Sequence, residues 1–89
     1  MPLISSFYGV LVYMYFMDNR QHNTPHIHAM YQGNEAVFAI NTADLIDGKF
    51  PPKQTRLVQA WIELRREELV ADWSLAVMGQ PVERVEPLR

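Results

Sequence analysis

The 89 residues, 48% hydrophobic, 20% charged and 11% aromatic, have the make-up of an ordinary globular domain that can bury a core without disulfides or a structural metal. The absence of cysteine excludes disulfides, thiolate metal centres, cysteine nucleophiles and dithiol redox chemistry, so any metal must be held by nitrogen or oxygen. A net charge of −2, eight Lys+Arg against ten Asp+Glu, gives no global pull towards phosphate backbones or anionic lipid, and no basic leader or membrane-length apolar run is present, so a cytoplasmic location is expected.

In chain order the sequence reads as one domain over residues 1–89, β-rich to residue 50, helical from 52 to 79 and closing in a tail from 80 to 89. Phe7 to Met17 is apolar at both parities and rich in aromatic and β-branched residues, which predicts a central strand covered on both faces. Asp18 to Pro25 is a polar loop. His26 to Tyr31 is a second strand, with His26, His28 and Met30 on one face and Ile27, Ala29 and Tyr31 on the other. Gln32-Gly33-Asn34 turns into Glu35 to Asn41, where Ala36, Phe38 and Ile40 point inward. Leu45-Ile46 is a short strand or the rim of a turn, and Pro51-Pro52 stops any ladder.

Lys53 to Met78 is helical in pattern, with Pro52 in the first turn and Gly79 just past the end. Leu57, Val58, Trp61 and Leu64 form one apolar stripe, and Leu69, Trp73, Ala76 and Val77 a second, rotated one. A straight helix would not bury both, which predicts a kink near Arg65 to Glu68. Val82 to Val85, between Pro81 and Pro87, is a candidate edge strand. The fold expected is α+β: an antiparallel sheet of three or four strands followed by a C-terminal kinked helix or helix pair, with a final short edge strand.

The chain resembles a small bacterial family known as domain of unknown function number 4160. The resemblance rests on Ile4-Ser5-Ser6-Phe7-Tyr8-Gly9-Val10, Met14-Tyr15-Phe16, the block His22-Asn23-Thr24-Pro25-His26-Ile27-His28-Ala29, Gly48-Lys49-Phe50-Pro51, and Trp61 and Trp73. Thr24 stands where relatives carry a proline, and Arg65 where they often carry a further histidine. The resemblance implies one member of a small bacterial two-protein module of the toxin–antitoxin kind, and hence a small protein partner.

All three histidines fall within seven positions. A His-x-His on a strand projects both rings from one face with Cα atoms about 6.5–7 Å apart. With His22 from the adjoining loop, His26 and His28 could form a three-nitrogen site for a divalent metal such as zinc, with Asp18 in support, and so a metal-assisted nuclease. Without metal, His26 and His28 could act as base and acid in RNA cleavage, with Arg56, Lys53 or Arg20 holding the phosphate. The plainer reading is structural, the imidazoles capping backbone groups or packing on the tyrosines of the first strand. A protein-interaction module is the non-enzymatic alternative, pairing through the 35–41 strand or the tail with a partner or in a homodimer.

Overall fold

The computed structural model describes residues 2–15 and 24–89. Five strands, β1 (Leu3–Phe7), β2 (Val10–Tyr13), β3 (His26–Tyr31), β4 (Asn34–Ala39) and β5 (Leu45–Gly48), precede one helix, α1 (Pro52–Val77). The strands form an antiparallel sheet in the order β1-β2-β3-β4-β5. The fold is therefore α+β with five strands, one more than the upper expectation.

The extra strand comes from the stretch read as one central strand. Phe7 ends β1 and Val10 starts β2, opposite each other across Tyr8 and Gly9. Both turn residues have positive φ, 49° and 80°, the two-residue geometry whose twist matches that of paired strands. The turn between β3 and β4 repeats it, with Gln32 at 47° and Gly33 at 83°. β2 is also not covered on both faces: Val10 and Val12 are buried, whereas Leu11 is exposed and Tyr13 half-buried. The apolar run up to Met14 thus hid a hairpin, because Gly9 was its sole break.

The helix lies on the sheet face formed by Phe7, Val10, Val12, Ile27, Ala29, Ala36 and Phe38, all part of the buried core. Its buried positions are Val58, Trp61, Ile62, Leu69, Asp72, Trp73 and Ala76. At about 100° per residue these fall within one stripe roughly 120° wide, so a single helix face covers the sheet. The expected second stripe arose from counting Leu64 as core. Leu64 is 68% exposed and Ile62 takes its place. The continuing face was disguised by Arg65 and Asp72, charged residues on its line. Arg65 has φ −116° and ψ 21°, outside helical values, so α1 is kinked there, within the expected span Arg65 to Glu68, and continues to Val77.

Pro52 occupies the first helical position, where its missing N–H is no loss. At the other end Gly79 has φ +71°, and its N–H and that of Gln80 donate to the carbonyls of Ala76 and Leu75, closing the helix in a Schellman motif. Residues 80–89 form no strand. They cross the helix towards β1, where the Val85 N–H donates to the Ile4 carbonyl at 2.8 Å. Arg66 donates through Nε to the Ile40 carbonyl at 2.9 Å and ties α1 to the end of β4.

Candidate functional site

Alternation along β3 sends Ile27 and Ala29 into the core and turns His26 and His28 the other way, His26 being buried at the end of the strand beside Trp73. Tyr13 stands opposite His28 across the ladder. The rings form a continuous series: Tyr13 stacks on Tyr15 with centroids 6.2 Å apart, Tyr15 lies 4.3 Å from His28, His28 lies 5.3 Å from His26, and His26 lies 4.8 Å from Trp73 of α1.

Both imidazoles are fixed by their Nδ1 atoms. His26 Nδ1–H donates to the Thr24 carbonyl at 2.8 Å, and His28 Nδ1–H donates to a Glu35 carboxylate oxygen at 3.2 Å. In the neutral rings this places the lone pair on Nε2, the atom that accepts a proton or ligates a metal. The two differ in access. His26 is buried, whereas the His28 side chain retains 13% exposure and its partner Glu35 is half exposed. An ion pair open to solvent on one side adds at most about 1 kcal/mol, so Glu35 serves the orientation of His28 more than stability.

Glu35 was not singled out from sequence, although the hairpin carries the signal. The turn pairs Tyr31 with Asn34 and Met30 with Glu35, so Glu35 is the diagonal neighbour of His28 on the same face, within reach of a long side chain. Tyr15 beside His28 accords with the reading of the imidazoles packing on the tyrosines of the first strand, whereas Trp73, counted in the second apolar stripe, was missed as a neighbour of His26.

The other predicted members are placed differently. His22, Asp18 and Arg20 lie outside the described residues. Among the described residues no group of three or more His, Cys, Asp or Glu side chains is placed to hold a metal. Arg56 and Lys53 are exposed near the start of α1, whereas His26 meets the helix at Trp73. Seventeen helical residues from Arg56 to Trp73 correspond to roughly 25 Å along the axis, so Arg56 does not join the histidine pair.

A five-strand meander packed on one helix, with an oriented histidine pair on β3 that reaches the helix at Trp73, defines a small α+β protein of a particular build. The family comparison names it: the chain belongs to the family described as Domain of unknown function (DUF4160), whose model matches residues 9–74. The match takes in the histidine pair and Glu35 and stops before the segment that crosses to β1. No curated protein and no solved structure matches the chain. No helix among the described residues is long and apolar enough to cross a membrane.

Proposed function

We propose that the chain acts as one member of a two-protein bacterial module and that its working site is His28 oriented by Glu35, with His26 beside it. The observation that carries this reading is the Nδ1–H bond from His28 to Glu35, which orients the imidazole and sets its tautomer on a side chain that keeps some access to solvent. The chemistry is proton transfer: His28 takes a proton from a hydroxyl as its oxygen bonds to phosphorus and returns one to the oxygen whose bond to phosphorus breaks, as cleavage of RNA by its own 2′-hydroxyl requires. His26, buried between His28 and Trp73, is a positioning residue. The paired module follows from the family's resemblance to two-gene systems.

The test is growth of a bacterial host expressing the chain without its partner. Expression of the parent is expected to slow growth, and the folded His26→Ala, His28→Ala double variant to restore it. Glu35→Gln, which keeps an acceptor for the His28 Nδ1–H, should retain a partial effect. A double variant that is folded by NMR and slows growth as the parent does would remove the histidines from the mechanism.

A second reading, metal binding, is favoured by one observation: both rings hold Nδ1 on fixed acceptors, as metal-ligating histidines do. Titrating the chelator-treated protein with zinc, nickel and manganese should then move the ring signals of His26 and His28, together with His22, at one equivalent. Rings that stay still through that point eliminate the metal.

A further inference from the structure

Beyond the helix cap, residues 81–89 are held by three hydrogen bonds to two elements, β1 and α1. Val85 N–H donates to the Ile4 carbonyl of β1 at 2.8 Å, the Trp61 indole N–H donates to the Glu86 carbonyl at 2.7 Å, and Glu83 N–H donates to Asp72 Oδ1 at 3.0 Å. Val85 is buried, and Val82 and Leu88 pack on the core. The fit beneath is nevertheless poor. Ser5 and Asp72 are almost wholly buried, and the Ser5 hydroxyl and Asp72 Oδ2 have no hydrogen-bond partner among the described residues. Such groups are rare in folded proteins because each loses its hydration without compensation.

Two hollows flank Val85. One of about 260 Å³ is lined by Ser5, Ser6, Glu68 and Arg84, and one of about 180 Å³ by Asp72, Glu68, Glu83 and Arg84. The segment is thus anchored at points and underpacked between them, and its contact with β1 is a single backbone bond where a paired strand would form a ladder.

We propose that residues 80–89 are a releasable strap over the outer edge of β1, that Asp72 sets its hold, and that the hold weakens as pH rises towards neutral. The charged groups that share a hollow with Asp72 are Glu68 on its own helix and Glu83 and Arg84 on the strap, and β1 lines only the neighbouring hollow, with the uncharged Ser5 and Ser6. Burial raises the Asp72 carboxyl above its ordinary value. The Glu83 N–H opposes this, and the Glu83 and Glu68 carboxylates add to it.

Opening the strap returns Asp72 to water and removes Glu83, so the closed form binds the proton more tightly. Closure is therefore fully supported below the ordinary carboxylate value and loses that support as pH rises through the raised one. An open strap leaves the outer backbone groups of β1 available to an extended segment of another protein. None of this depends on the histidine site.

The experiment is hydrogen exchange by NMR on the full chain from about pH 4 to pH 7, expressed as protection relative to intrinsic rates so that base catalysis cancels. Protection of the Val85 and Glu83 amides and the Trp61 indole should fall about tenfold per pH unit between the ordinary and raised values, while the Leu69 amide stays protected. Asp72→Asn, which keeps the acceptor for Glu83 and carries no charge, should give a flat profile. Ser5→Ala should keep the slope. A flat parent profile, an Asp72→Asn profile that keeps the parent's slope, or a slope lost in Ser5→Ala would each overturn the assignment.

Discussion

Replacing Trp61 with alanine is expected to destabilise the fold by about 3–5 kcal/mol, a large part of the roughly 5–15 kcal/mol that holds a domain together. Trp61 is fully buried and the largest such side chain, and its ring lies 5.3 Å from that of Phe7 on β1. Alanine removes the plug between α1 and the sheet edge and the indole donor that fixes the strap at Glu86. Trp61→Phe separates the two roles. It keeps an aromatic ring against Phe7 and loses the hydrogen bond, with an expected loss of about 1–2 kcal/mol and early exchange of the strap amides. Urea unfolding measures both, and an alanine variant within about 1 kcal/mol of the parent would contradict the core described here.

Gly48→Ala is the second large effect, and its origin is backbone rather than side chain. Gly48 has φ +82°, and an added Cβ would lie 2.3 Å from the Glu35 carbonyl oxygen and 3.0 Å from the Ala36 Cα. The left-handed conformation alone costs a residue with a Cβ about 1–2 kcal/mol. Here β5 must also draw away from β4, for an expected total of about 3 kcal/mol or more. Gly33→Ala is the matched control: φ is +83° but nothing lies within 4 Å, so only the conformational part should appear. Because Gly48 presses on Glu35, its substitution should also disturb the His28 ring signals, whereas Gly33→Ala should leave them in place. Equal losses for the two variants would mean that the β4–β5 contact is looser than the geometry indicates.

Much of the sheet was legible because alternation is a local signal. β3 carries its proline before it and a glycine turn after it, and its bounds and the division of its faces follow from six residues. The hairpin at Tyr8-Gly9 was obscured because the residues on both sides are apolar or aromatic, so nothing but one glycine marks the turn. On the helix, composition misled: Leu64 looks like core and Asp72 does not, and only the packing against β1 and the strap reverses them. The histidine pair stood out in the sequence, but its partner Glu35 depended on strand register. The reach of Arg56 depended on where the helix crosses the sheet, which no local pattern encodes.

Each strand of the meander pairs with its neighbour in sequence, so the described turns close loops of only a few residues and demand little chain entropy. The sheet can therefore zip up from its hairpins before the helix is in place. The bond between Ile4 and Val85 is of the opposite kind, since it joins the two ends of nearly the whole chain. On a ribosome the first hairpin emerges long before residue 85 is made, so a newborn chain passes through a stage in which the flank of β1 is bare.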